Sequence, residues 1–288
     1  MRRSMLFLPG NSPNILLNAD FLGSDAIILD LEDAVAPTEK DSARILVRNA
    51  ITSLGYTREV IVRINPLDSP YWQKDLEEII KVKPDMIMPT KVDSADYIRT
   101  VSAYIGQMEE KYGIEAGSVK MIPLIETALG VERAFEIASA DPRVAAIFLG
   151  GEDFTADMRC KRTKEGTEIF YARSRMVVAA RAAGVDVMDT PWTDVEDIEG
   201  LIEDTKLAKS LGFSGKASIS PRHVAAINEV FSPTEAEIQY AKDVMDTIEK
   251  AKAEGKGVVS LRGKMIDAPI VNRARQVLEM AEAIKGGR

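Results

Sequence analysis

Glu126 and Asp153 carry the narrowest chemistry in the sequence: two carboxylates, each just beyond a short apolar run, with no histidine or thiolate beside them. Oxygen donors of this kind suit Mg²⁺, which takes one or two carboxylates and fills its other positions with water and substrate oxygens. Arg63 closes another apolar run and offers a planar, permanently charged fork matched to a carboxylate. Asp30-Leu31-Glu32-Asp33, Lys91 and Asp189 fall at comparable places. Any one of these is ordinarily a solvated strand end or a helix cap. Charge at six strand ends, all on one rim, is a constellation. A cation beside a carboxylate-binding arginine describes a site for a small oxo- or hydroxy-acid. Gly150-Gly151 removes side chains where a ligand must approach the backbone closely.

Rival chemistries fit less well. A Schiff base needs a desolvated lysine, and the carboxylates expected around Lys91 favour its ammonium form. A serine or cysteine nucleophile wants a base such as histidine. The single histidine, His223, opens a helix after Ser220-Pro221, and the single cysteine, Cys160, lies in a basic loop from Arg159 to Lys164. Leu8-Pro9-Gly10-Asn11 is not the glycine fingerprint of a dinucleotide fold.

The elements that must position these residues alternate. Eight short apolar runs read as strands: Ser4–Leu8, Ala26–Leu31, Val60–Ile64, Asp85–Met88, Lys120–Ile125, Val144–Leu149, Asp186–Met188 and Lys216–Ile219. Amphipathic stretches with helical spacing separate them, among them Asp41–Leu54, Ser94–Tyr112, Val131–Ala138, Phe170–Ala183, Val195–Leu211 and Pro221–Val230. Continuously apolar runs such as 26–29 and 146–149 belong to strands buried on both faces. The fold class predicted is α/β, a (β/α)₈ TIM barrel over residues 1–231, whose active site forms at the carboxyl ends of the strands. Residues 232–288 are left over as a C-terminal helical extension, expected to pack on a neighbouring subunit. In it, a long helix starts after Ser232-Pro233-Thr234 and runs to about Glu254, Gly255-Lys256-Gly257 breaks it, the apolar run Val258–Leu261 follows, and a last helix starts near Pro269.

The 288 residues suit one barrel with a tail and are too few for two α/β domains. A net charge of −8 argues against nucleic acid as a partner. One cysteine excludes an internal disulfide and fits a reducing compartment. The apolar run Met5–Pro9 is too short for a signal peptide, and nothing approaches a membrane span. A soluble, cytoplasmic protein is expected.

Several segments resemble the beta subunits of citrate lyase, within the citrate lyase and malyl-CoA lyase superfamily of magnesium-dependent barrels. They are Arg3-Ser4-Met5-Leu6-Phe7-Leu8-Pro9-Gly10-Asn11, Asp30-Leu31-Glu32-Asp33-Ala34-Val35, Val62-Arg63-Ile64-Asn65, Ile125-Glu126-Thr127 and Gly150-Gly151-Glu152-Asp153. Lys216-Ala217-Ser218-Ile219-Ser220-Pro221-Arg222 and Gly263-Lys264-Met265-Ile266-Asp267 extend the likeness to the end of the chain, and 161–174 narrows it to citrate lyase. The resemblance implies a retro-Claisen cleavage of a citryl thioester to oxaloacetate and an acetyl thioester. It implies Glu126 and Asp153 as Mg²⁺ ligands, Arg63 as holder of an oxo-acid carboxylate, and Glu32 and Asp33 as residues shaping the pocket. Asp267 would act in catalysis, and Arg3, Pro9 and Lys91 would bind the thioester carrier, either CoA or the prosthetic group of an acyl carrier protein. The implied partners are an acyl carrier subunit, an alpha subunit and further copies of the chain in a trimer or hexamer. Two departures stand out: many relatives place lysine directly after the proline of Met88-Pro89-Thr90-Lys91, and many have glutamine at the position of His223. The alternatives are a stand-alone malyl-CoA or citramalyl-CoA lyase and a non-catalytic scaffold subunit.

Overall fold

The computed structural model describes residues 1–253 and 259–286, so the Gly255–Gly257 break, Glu254 and Val258 lie outside the described residues. The chain divides into two compact units, Arg2–Asn228 and Glu229–Arg288 with Met1.

The first unit is built on one parallel sheet of nine segments. They are β1 (Ser4–Pro9), β2 (Ala26–Asp30), β3 (Glu59–Arg63), β4 (Met86–Met88), β5 (Lys120–Met121), β6 (Leu124–Ile125), β7 (Ala146–Leu149), β8 (Asp186–Asp189) and β9 (Gly215–Ser218). Their order across the sheet is β5-β4-β3-β2-β1-β9-β8-β7-β6. The ninth segment arises because the fifth expected strand is divided at Ile122-Pro123, where proline has no N–H for a ladder bond. The two outermost segments are therefore successive pieces of chain. Residues 120–125 bond to both flanks: Ile122 N to Ile87 O (2.9 Å) and Leu124 N to Pro89 O (2.9 Å) on one side, Ala145 N to Met121 O (3.0 Å) and Phe148 N to Pro123 O (2.9 Å) on the other.

β2 and β7 are buried along their whole length, as continuous apolar runs predict. One set of alternating side chains packs against itself, including Met5, Ile28, Ile61, Met88, Leu124, Phe148 and Met188. The other set faces the connecting helices, of which Lys40–Leu54, Ala95–Tyr112, Phe170–Ala183 and Ile198–Leu211 match the expected spans closely. The expected helix Val131–Ala138 is two short pieces, Ala128–Glu132 and Ala134–Ala138. Register aligns the strand ends that matter: Pro9 lies opposite Asp30, and Asp30 opposite Arg63.

In the second unit a capping box starts the helix Glu235–Ala253. Thr234 Oγ1 accepts from Glu237 N (3.2 Å), and the Glu237 carboxylate accepts from Thr234 N (2.7 Å). An antiparallel hairpin follows, β10 (Val259–Leu261) and β11 (Lys264–Ile266), which the sequence pattern did not announce. Its two-residue turn has φ 51° at Arg262 and 78° at Gly263, the left-handed pair such turns require. Helix Ala268–Lys285 closes the chain and packs with the preceding helix and hairpin around Ala241, Val244, Ile266 and Ala274. Among the described residues no helix is long and apolar enough to cross a membrane.

Candidate active site

At the carboxyl ends of the strands lies a cavity of about 490 Å³, lined by Pro9, Asp30, Asp33, Arg63, Glu126, Gly150, Gly151, Asp153 and Thr190, with Phe7 and Phe148 also in its wall. Each arrives by a short local device. Asp30 ends β2, and its carboxylate accepts from the amides of Glu32 (2.8 Å) and Ala34 (3.2 Å), folding the loop that follows. The same carboxylate takes the fork of Arg63 from β3, with Nε at 2.7 Å. Arg63 Nη1 reaches Glu32 Oε2 at 3.1 Å and Asp33 Oδ2 at 3.8 Å, and its guanidinium stacks 5.1 Å from the Phe7 ring centre. Lys40, missed from the sequence, secures the loop from behind, its ammonium donating to the carbonyls of Leu31 (2.8 Å) and Glu32 (2.7 Å).

Glu126 follows β6 and is buried. Lys91 presents its backbone amide to Glu126 Oε1 at 2.8 Å, adopting φ 53° to do so. That left-handed conformation costs a non-glycine residue on the order of 1–3 kcal/mol and persists only where the surroundings over-determine it. Lys91's ammonium lies 3.7 Å from Glu32 Oε1. Burial works against its charge, but Glu32, Asp33, Glu126 and Asp153 together outweigh this and its pKa is raised, which disfavours Schiff-base chemistry. Gly150 and Gly151 lead into a short helix, Gly151–Asp157, whose first turn carries Asp153. The glycines are required by the protein itself: a Cβ on Gly150 would lie 2.7 Å from Glu126 Oε2, and one on Gly151 2.7 Å from Thr190 Oγ1. The close approach expected from a ligand is made by these two side chains.

Electrostatics mark the same spot. Burial, then the charge of Asp153 and a hydrogen bond shared with it, push the Glu126 carboxyl up to about 8. Burial pushes Glu32 up to about 7, with the charge of Arg63 opposing and Asp33 reinforcing the shift. Buried Glu126 thus faces Asp153, which solvent reaches, and a hard divalent cation would suit this pair of carboxylates. Among the described residues no three His, Cys, Asp or Glu side chains form a ready-made cage. A pair such as Glu126 and Asp153 would suit a cation that takes two carboxylates and keeps water and substrate oxygens.

The structure brings together Glu32, Asp33, Arg63, Pro9, Lys91, Glu126 and Asp153. Arg3 is a correction. It precedes β1, at the amino end of the strand, and its side chain and amide both bind the Asp25 carboxylate there (2.7–2.8 Å), so it cannot contact a carrier bound at the carboxyl ends. Asp267 belongs to the second unit, where it caps the last helix, accepting from Ile270 N at 3.1 Å. Asp189 ends β8 but turns away from the cavity into a fully buried ion network. It pairs with Arg173 (2.9 Å) and Lys216 (2.6 Å), which both also bind Asp204. Arg173 Nη1 has no hydrogen-bond partner among the described residues. Removing one partner of a buried ion cluster strands the others, so Arg173→Met is expected to lower the unfolding free energy by about 3–5 kcal/mol in a denaturant titration.

Residues 3–221 match the model of the HpcH/HpaI aldolase/citrate lyase family. The citrate lyase subunit beta of Leuconostoc mesenteroides subsp. cremoris is 43% identical over 284 residues, 98% of this chain and 94% of that protein. The L-malyl-CoA/beta-methylmalyl-CoA lyase of Cereibacter sphaeroides is 33% identical over 98% of this chain and 95% of its own. A solved citrate lyase beta subunit from M. tuberculosis, complexed with oxaloacetate and magnesium, superimposes with a TM-score of 0.68 at 28% identity, over 81% of this chain and 97% of that one. The chain belongs to the HpcH/HpaI aldolase/citrate lyase family.

Proposed function

We propose that this chain is the beta subunit of a citrate lyase, a magnesium-dependent carbon–carbon lyase that cleaves a citryl thioester to oxaloacetate and an acetyl thioester. The observation that carries this is the pairing of Glu126 with Asp153 in a cavity that also holds Arg63. The relatives point the same way: the 43%-identical protein is a citrate lyase subunit, and the M. tuberculosis structure holds magnesium and oxaloacetate.

In this proposal Glu126 and Asp153 hold the cation. Bound Mg²⁺ supplies a Lewis acid that lowers the pKa of the substrate hydroxyl and stabilises the ketone that forms. Arg63 fixes a carboxylate of the acid. Three of its five N–H groups serve Asp30 and Glu32, which leaves one each on Nη1 and Nη2 for substrate. Glu32 and Asp33 shape the wall around it, and Pro9 and Lys91 contact the thioester carrier. The hydroxyl gives its proton to water, the C–C bond breaks to give the ketone of oxaloacetate, and the electron pair of that bond moves to the α-carbon of the thioester. A proton delivered to that carbon gives the acetyl thioester. Asp267, an exposed carboxylate, is our candidate for that transfer, in its own or a neighbouring site.

The sheet is read as a closed (β/α)₈ barrel, supported by the hydrogen bonds of residues 120–125 to both flanks. We place residues 232–288 against a neighbouring copy in a trimer or hexamer, with acyl carrier and alpha subunits as further partners, in the cytoplasm. The single cysteine, exposed and unpaired, agrees with a reducing compartment.

The test is to assay the purified chain with Mg²⁺ on citryl, malyl and citramalyl thioesters, each on CoA and on an acyl carrier protein. The citryl thioester is expected to be cleaved fastest. A malyl or citramalyl thioester in first place would reassign the substrate, and no turnover with no magnesium binding would leave a scaffold.

A further inference from the structure

Thr190 follows β8 directly, is buried, and ties two separate parts of the unit together. Its hydroxyl oxygen accepts from Gly151 N at 3.0 Å. Its carbonyl accepts from the ammonium of Lys216 at 2.7 Å. Lys216 is itself immobilised, fully buried between Asp189 and Asp204 at 2.6 Å each, and Arg173 binds the same two carboxylates. One end of Thr190 is thus held by Lys216, itself fixed in a network with three further buried charges, and the other end holds the first residue of the helix that carries Asp153.

That helix needs such support. It spans seven residues, too few to keep its position by its own hydrogen bonds. Its first amides have no partner within the helix. The residue that would ordinarily cap it is Gly150, which has no side chain to accept a bond. A side chain there is barred, because Glu126 occupies the space a Cβ would take. The capping oxygen therefore comes from the neighbouring strand.

We infer that Thr190 is a positioning residue for the cation site, fixing through its hydroxyl the turn on which Asp153 sits, with the buried Arg173–Asp189–Lys216–Asp204 network as its support. The inference rests on the reading of Glu126 and Asp153 as the cation's ligands. A buried ion cluster adds little net stability over an apolar core, so its use here is geometric. A carboxylate that drifts by a fraction of an ångström is a poorer ligand to a cation that demands near-ideal coordination.

The test compares Thr190→Val, which keeps the branched shape and loses the hydroxyl, with Thr190→Ser, which keeps the hydroxyl. Two readouts are used: deuterium exchange of the Gly151 amide in metal-free protein, and magnesium binding by calorimetry. In the valine variant the amide is expected to exchange faster and the magnesium Kd to rise by about 10- to 100-fold, with the serine variant restoring both. A valine variant that binds magnesium like the parent, or that only unfolds at lower temperature with Gly151 exchange unchanged, overturns the inference. If the parent chain binds no magnesium at all, the ligand assignment itself fails. Gly151 exchange then decides alone: acceleration in the valine variant leaves Thr190 as the holder of the turn, and no acceleration overturns that too.

Discussion

Glu126→Gln is expected to lower magnesium-dependent turnover about a thousandfold, equivalent to roughly 4 kcal/mol of barrier. Glutamine has the size of glutamate and retains an oxygen for the Lys91 amide, so the fold has no steric reason to change. What is lost is the charge, which leaves Asp153, exposed to solvent, as the remaining carboxylate of the pair. A pH signature accompanies the loss. The Glu126 carboxyl is pushed up to about 8, by burial first and by Asp153 second. Its folded pKa therefore lies above the value of the unfolded chain, near 4.5. The stability it contributes to the metal-free protein is fully present below that unfolded value and is lost as pH rises through about 8. Magnesium has to displace this proton, so its affinity should rise about tenfold per pH unit toward that pKa, level off above it, and be accompanied by proton release. In the glutamine variant the proton release and this pH dependence both disappear. Calorimetry in two buffers of different ionisation enthalpy reads the proton, and thermal unfolding with a chelator between pH 5 and 9 reads the stability. Unchanged turnover in the variant would remove Glu126 from the metal site.

The parts of this molecule legible in the sequence are those where one side chain's type and its place in an apolar run suffice. Asp30, Arg63 and Glu126 each close such a run, and parallel strands put all three on one rim. Chain direction alone assigns Arg3 to the opposite rim, because it precedes the strand whose far end is Pro9. The family likeness of its segment outweighed that physical constraint. Asp189 shows a different limit. Along a strand successive residues face opposite ways, so one position separates a residue lining the cavity from one turned toward the helices, and the cavity takes Thr190. Lys216 carried a usable signal, a lysine inside the small-residue run Gly215-Lys216-Ala217-Ser218, which implies a buried countercharge. Its countercharge Asp204 and Arg173, the other cation on the same carboxylates, lie on separate helices and become neighbours only when the unit folds. Helix Gly151–Asp157 was invisible because seven residues give less than two full periods of a helical pattern.

Arg63→Lys is expected to lower kcat/KM on the thioester substrate about a hundredfold, and Arg63→Met to lower it further and to remove about 3–5 kcal/mol of stability as well. The two variants separate two duties of one guanidinium. Arg63 is almost wholly enclosed; burial works against its charge, but Asp30, Glu32 and Asp33 overcome it and its pKa is raised. Methionine leaves Asp30 and Glu32 buried without this cation, so the loop from Asp30 to Ala34 loses the clamp on which it folds. Lysine keeps a charge near Asp30, and most of the stability with it. An ammonium cannot grip Asp30 along one edge while presenting N–H groups to a substrate carboxylate along another. The lysine variant should therefore unfold within about 1–2 kcal/mol of the parent, yet bind the acid portion of the substrate poorly, with the loss falling mainly on KM for binding made equally in ground and transition states. Steady-state kinetics beside denaturant unfolding of both variants decides it. A lysine variant with parental kcat/KM would confine Arg63 to holding Asp30, and would move recognition of the substrate carboxylate to another cation at the rim, such as Lys91, 3.7 Å from Glu32.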